Sequence, residues 1–169
     1  LLSHRADWAI VSEVEQNDDV LFKPLFSYEM VGICSKDHPL ANKEVWQAED
    51  FAEETWVTYP VPDDMLDLYR QVLKPKGINP PRRTTELTIA LIQLVASRRG
   101  IATVPYWAAL PYLEKGYVVA RKITEEGLYS NLYAAIRKED ANLAYIEDFH
   151  QTVKAQSFST LPGLSVLEL

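Results

Sequence analysis

The 169-residue chain is poor in the residues on which disulfides, metal sites and membrane spans depend. Cys34 is its only cysteine, so an internal disulfide is excluded, and a single cysteine is consistent with a reducing compartment. The three histidines are scattered, and no Cys or His cluster has metal-ligand spacing. There is no run of about 18 apolar residues, the length that a membrane-spanning helix needs. We therefore expect a cytoplasmic protein without metal or cofactor.

Positive charge is also scarce. Seventeen Lys and Arg stand against 24 Asp and Glu, which gives a net charge of −7. Segments that bind nucleic acid neutralise phosphates with clustered basic residues, so this segment is not expected to bind DNA itself. The nucleophile-elbow, P-loop and dinucleotide-binding glycine motifs are missing as well, and the sequence predicts no enzyme.

The most informative segment runs from Thr88 to Pro105. Residues 88–96 are apolar almost throughout, which is typical of a helix buried on nearly all sides, with Thr88 as its cap. Two arginines suit the negative end of that helix, and Gly100 is predicted to take the left-handed position after it. The apolar residues 101–104 then form a buried strand that the proline ends. A helix that leads directly into a buried strand indicates an α/β fold.

Strands and helices alternate along the rest of the chain. Trp8–Val11 is predicted to be a buried central strand, which needs a neighbour on each side. Because the chain opens at Leu1 rather than at Met, we expect a fragment whose N-terminal part is missing. Asp63 is predicted to cap a helix. Further strands are predicted at 20–26, 28–34, 55–59, 82–87, 117–120 and 131–137, and further helices at 47–53, 63–73, 107–115 and 143–156.

Seven residues stand where α/β sheets build ligand clefts, after a predicted strand or at a helix start: Ser12, Tyr59, Pro60, Val61, Thr88, Val104 and Pro105. A hydroxyl and free backbone N–H groups at a helix start favour a carboxylate or another anion. The alternative, left open by the residues alone, is that Ser12 and Thr88 only cap helices and that the prolines only end strands.

Several motifs occur in an order that resembles the effector-binding domain of LysR-type transcriptional regulators: Ala6–Ile10, Asp37–Ala41, Tyr59–Pro60, Leu91–Pro105 and Leu132–Ile136. The resemblance covers residues 4 to about 156. It implies two Rossmann-like lobes of the type 2 periplasmic-binding-protein kind, with the effector between them. Lobe one would hold 1–50 and 124–160 without its N-terminal part, lobe two would hold 51–123, and 161–169 would be a tail.

Other segments, among them Leu73–Pro75, Pro105–Trp107 and Glu126–Ser130, are similar to family members that activate methionine-biosynthesis genes and respond to homocysteine. The resemblance thus implies a small-molecule effector of that kind. Ser12 would contact it from lobe one, Pro60 and Val61 from lobe two, and Thr88 from the helix start. The carboxylate and ammonium groups of homocysteine suit hydroxyls and a helix N-terminus.

The resemblance further implies that DNA is bound through an N-terminal winged helix-turn-helix that this chain lacks. A homodimer or tetramer is implied for the full-length protein, whereas dimerisation of this segment stays open. A transporter's solute-binding protein has the same two-lobe fold and is the alternative. An upstream helix-turn-helix would favour the regulator, and an upstream signal peptide would favour the transporter protein.

Overall fold

The structure is a computed structural model that describes residues 1–167. Its contacts define two compact units. The first comprises Leu1–Tyr28 and the chain from Ser130 onward, and the second comprises Glu29–Tyr129. The chain passes from one unit to the other within strand β2 (Val20–Cys34) and again within β8 (Leu128–Arg137).

These units differ from the predicted lobes in residues 29–50 and 124–129, which belong with the second unit. For residues 29–50 the reason is that β2 is one strand of 15 residues rather than the two predicted, and its last residues pair inside the second unit. Ser27, at the predicted interruption, is paired with Ser165 like any other strand residue. The bounds of the lobes themselves stay a prediction.

In the first unit, strand β1 (Trp8–Val11) runs antiparallel to β8, with Trp8 opposite Ile136. The prediction of a buried central strand is wrong, because β1 is half-buried and Ile10 is 55% exposed. Helix α3 (Ala144–Thr160) packs on this unit through Ile146 and His150. Part of the tail forms β9 (Leu164–Ser165), which pairs with β2.

The second unit has parallel strands at its centre. Strand β4 (Trp56–Thr58) lies between β5 (Arg82–Thr84) and β6 (Ile101–Pro105), and both are parallel to it. Helix α1 (Thr88–Ala96) connects β5 to β6. Parallel strands of one sheet joined through a helix form the βαβ arrangement, so the predicted α/β fold is confirmed.

The remaining elements of this unit surround those strands. Strand β6 runs antiparallel to the end of β2, and helix α2 (Tyr106–Glu114) follows it directly. Strand β7 (Val119–Ile123) is antiparallel to β2 and parallel to the short β3 (Val45–Trp46). Single 3-10 helical turns precede and follow β3, at Pro39–Asn42 and Ala48–Phe51.

Helix α1 covers the sheet with one face only. Leu91, Ile92 and Val95 are fully buried, whereas Ile89 is 56% exposed. The prediction of a helix buried on nearly all sides is therefore wrong, since the outer face has no layer over it within the described chain. Leu87 is the N-cap and Thr88 is the first helical residue, which corrects the predicted cap by one position.

The end of α1 departs from prediction as well. Arg98, at φ +60°, takes the left-handed position that was predicted for Gly100. Its N–H donates to the Val95 carbonyl (3.0 Å) and the next N–H, of Arg99, donates to the Leu94 carbonyl (2.9 Å), which are the two bonds of a Schellman motif. Gly100 is needed for another reason: a Cβ there would lie 2.3 Å from the carbonyl oxygen of Thr55.

The helix predicted at 63–73 is irregular. It starts with a 3-10 turn at Asp63–Met65, whose N-cap is Pro62 rather than the predicted Asp63. A π-helical turn (Tyr69–Leu73) and a second 3-10 turn (Lys74–Lys76) follow. Gly77, at φ +67°, ends the segment. The segment packs Leu66, Leu68 and Leu73, among others, into a core that also holds Trp46, Phe51 and Trp56.

Candidate ligand-binding site

Two predicted site residues meet in the second unit. Tyr59 directly follows β4, and Thr88 is the first residue of α1. The N–H of Thr85 donates to the carbonyl of Thr58 (3.0 Å), which joins the carboxyl ends of the parallel strands β4 and β5. At this end of the strands the Tyr59 Oη atom lies 2.7 Å from Thr88 Oγ1. The position is the one at which open α/β sheets bind ligands.

The hydroxyl pair stands at the positive end of a helix. Each hydroxyl has one proton, and one of the two protons is used between them, so the pair retains one donor and several acceptor positions. The first backbone N–H groups of α1 have no acceptor within the helix, as at any helix start. These groups together favour a ligand that carries a carboxylate or a similar anion.

The residues beside Tyr59 form a stiff turn. The N–H of Val61 donates to the Tyr59 carbonyl (2.9 Å), and prolines stand on both sides of Val61. Pro60 and Val61 are exposed, which leaves both accessible to a ligand. A proline fixes its own φ and restricts the residue before it, so few conformations are open to this turn.

The other three predicted residues differ in their surroundings. Val104 is fully buried in the core with Leu91 and Ala109, so its side chain packs there. Pro105 is half-buried, ends β6 and is the N-cap of α2. Ser12 is exposed after β1 in the first unit. The role of each in binding stays a prediction.

Two further residues belong to this region, and sequence reasoning missed one of them. Tyr106, whose place directly after Pro105 indicates it in the sequence, is half-buried and packs against the same core cluster as Tyr59. Arg82 contacts residues on both sides of the Tyr59–Pro62 turn, and no pattern along the chain indicates those contacts.

The remaining reactive side chains have structural roles. Cys34 is fully buried, and burial raises the pKa of its thiol to about 11, so the thiol stays protonated and a poor nucleophile at neutral pH. His38 accepts a hydrogen bond from the Leu40 N–H (3.2 Å) and lies 3.2 Å from a Glu54 carboxylate oxygen.

Residues 1–167 bring together no group of three His, Cys, Asp or Glu that could hold a metal ion. No helix of this described range has the length and apolarity to cross a membrane.

The chain is similar to a known domain family and to bacterial proteins that contain it. The family model of the LysR substrate binding domain matches residues 1–157. The chain is 85% identical to the HTH-type transcriptional regulator MetR of Haemophilus influenzae, over all of this chain and 55% of that protein. It is 35% identical to MetR of Escherichia coli K12, over 96% of this chain and 51% of the relative.

A solved structure is similar over nearly the whole chain. The regulatory domain of MetR, a LysR family regulator from N. meningitidis, matches with a TM-score of 0.93 and 65% sequence identity. The match covers 99% of this chain and 78% of that one. The chain spans about half the length of the curated relatives it matches.

Proposed function

The chain belongs to the family of LysR substrate-binding domains, and we propose that it is the effector-sensing part of a transcription activator of methionine-biosynthesis genes, with homocysteine as co-inducer. The observation that carries the proposal is the 85% identity, over the entire chain, to a transcriptional regulator named MetR. The fold is that of LysR regulatory domains, which is the type 2 periplasmic-binding-protein-like fold, so the predicted fold class is confirmed. Both relatives are HTH-type transcriptional regulators.

The Tyr59–Thr88 pair supports an amino acid as the effector. Homocysteine presents a carboxylate, which can accept hydrogen bonds from a hydroxyl and from the free N–H groups at the start of α1. Its ammonium group donates, and the remaining lone pairs of the two hydroxyls accept. Pro60, Val61 and Pro105 are the predicted neighbours of this ligand in the second unit, and Ser12 is a further predicted contact.

The acidic charge of the segment supports a regulator in which effector binding and DNA binding belong to different parts of the chain. A net charge of −7 disfavours contact with phosphates. DNA would accordingly be bound by an N-terminal winged helix-turn-helix, and the full-length regulator would act in the cytoplasm as a homodimer or tetramer. Effector binding to this segment would shift the populations of conformations that the DNA-binding part senses.

Calorimetric titration of the full-length regulator with homocysteine tests the proposal. We expect binding that weakens when Thr88→Ala or Ser12→Ala removes a hydroxyl, by about tenfold for one lost charge-assisted hydrogen bond. Thr152→Ala is the matched control, because Thr152 is an exposed helical threonine of α3. Absence of binding would refute homocysteine as the effector, and equal binding by all variants would refute the site.

A further inference from the structure

Arg82 is enclosed by two aromatic rings and an acid. Its guanidinium carbon lies 5.1 Å from the ring centroid of Trp56 and 4.9 Å from that of Tyr69. Its Nη1 donates to the carboxylate of Asp63, and its Nη2 lies 3.4 Å from the side-chain oxygen of Asn79. The Arg82 side chain is only 22% exposed, so this cation is largely withdrawn from water. Cation–π contacts gain strength when the cation is desolvated.

The partners of Arg82 stand on both sides of the Tyr59–Pro62 turn. Trp56 opens β4, three residues before Tyr59, and it is fully buried, so it is a fixed platform. Asp63 immediately follows Pro62 on the other side of the turn. One guanidinium therefore connects the strand that enters the turn to the residue that leaves it. The turn is stiff inside, so fixing its two ends fixes where Tyr59 lies.

We propose that Arg82 is a positioning residue of the effector site, which holds the turn so that the Tyr59 hydroxyl stays beside Thr88. The inference rests on the proposed function, since it gives Arg82 an effect on effector affinity. Arg82 acts through Tyr59 and does not touch the effector. A planar guanidinium can stack on a ring and bind a carboxylate at once, whereas a lysine ammonium is a point charge without that fork.

A neighbouring ion pair provides the contrast. Lys74 lies 2.8 Å from Asp64, but these side chains are 58% and 73% exposed. An exposed pair of this kind restrains little. Lys74→Gln is therefore the matched control. It removes the cation that pairs with Asp64, the residue after Asp63, and it leaves the Arg82 guanidinium in place.

The test uses the full-length regulator in three forms: wild type, Arg82→Lys and Lys74→Gln. Without ligand, Arg82→Lys should raise hydrogen–deuterium exchange several-fold in a peptide that spans Tyr59–Pro62, while Lys74→Gln leaves it unchanged. Calorimetry should show homocysteine affinity about fivefold weaker in Arg82→Lys, the size of a lost stacked contact. In a Tyr59→Phe background that fivefold effect should disappear, which a general loss of stability would not produce.

The two proposals fail separately. If wild-type protein does not bind homocysteine, the proposed co-inducer is wrong, and the exchange of the turn still decides the role of Arg82. If exchange of the turn is the same in wild type and Arg82→Lys, the positioning role is refuted whatever the effector. Equal losses of affinity in the wild-type and Tyr59→Phe backgrounds refute it too, because Arg82 then acts by another route.

Discussion

The hydroxyl groups of Tyr59 and Thr88 lie 2.7 Å apart, although 29 positions of sequence separate the two residues. The contact joins the turn after β4 to the first turn of α1, at the carboxyl end of the parallel strands. Both side chains are half-buried, so the hydrogen bond competes only partly with water.

A double-mutant cycle on this pair should show energetic coupling. Tyr59→Phe and Thr88→Val each remove one hydroxyl with little change in volume, and each should lower the free energy of unfolding by about 1 kcal/mol. The double variant should lose no more than about 1.5 kcal/mol, because the second substitution removes a group whose partner is already gone. Urea unfolding of the four proteins measures the coupling. Strict additivity would show that the two hydroxyls do not interact in solution.

Gly100 should tolerate no side chain. A Cβ there would lie 2.3 Å from the Thr55 carbonyl oxygen, and the residue has φ +148°. Gly100→Ala therefore combines a backbone clash with backbone strain and should cost about 3 kcal/mol or more. Gly77→Ala is the control, since Gly77 also has a positive φ (+67°) but has nothing within 4 Å of its added Cβ.

The two glycine variants separate strain from packing. Gly77→Ala should lose only about 1 kcal/mol, the strain of the left-handed conformation. Thermal denaturation of both proteins gives the comparison, with soluble yield as the second readout if Gly100→Ala fails to fold. Equal losses would show that the approach of Gly100 to Thr55 is not tight.

Arg98→Gly should stabilise the protein. Arg98 is strained because it adopts a left-handed conformation at φ +60°. Its hydrogen bond to the Asp37 carbonyl (3.1 Å) is solvent-exposed. Glycine adopts this conformation without strain, so we expect a gain of about 0.5 to 1 kcal/mol in the free energy of unfolding. Arg99→Gly is the control, because Arg99 is not among the residues with positive φ and should lose stability. A loss in Arg98→Gly would mean that the Asp37 contact outweighs the strain.

The sequence predicted the order of helices and strands better than it predicted which of their faces are buried. Apolar periodicity located β6 and α1 within a residue or two, since these patterns are local. It misjudged the exposure of Ile89 and of Ile10, because an apolar residue on a strand or helix does not reveal whether another layer covers it. It also placed the left-handed end of the helix at Gly100. A glycine is needed there because the backbone of Thr55 leaves no room for a Cβ.

The sequence indicated the positions of the candidate site but not the contacts of its side chains. In α/β sheets ligands bind after strand ends and at helix starts, so Tyr59 and Thr88 could be selected from the sequence. The enclosure of Arg82 by Trp56 and Tyr69 depends on three segments that meet only in the folded unit. Nothing in the local pattern around Arg82 distinguishes it from the exposed Arg83 beside it.

His150 should make the protein sensitive to acid. It is 4% exposed on α3, and its pKa is lowered mainly by burial and further by Lys23, which outweigh the opposing effect of Glu147. A lowered pKa means that the unfolded chain takes up the proton first as pH falls. The stability that neutral His150 provides is thus present above pH about 6.5 and declines as the pH falls below it.

Urea midpoints at pH 7.5 and pH 5.5 test this relationship. Wild type should lose stability between the two pH values, and His150→Gln, which cannot take up the proton, should lose less. His4→Gln serves as the control, because His4 is exposed and its substitution leaves the buried imidazole in place. Glu147 has a lowered pKa and titrates below this window, so its protonation is not confused with that of His150. An unchanged acid loss in His150→Gln would assign the sensitivity to other groups.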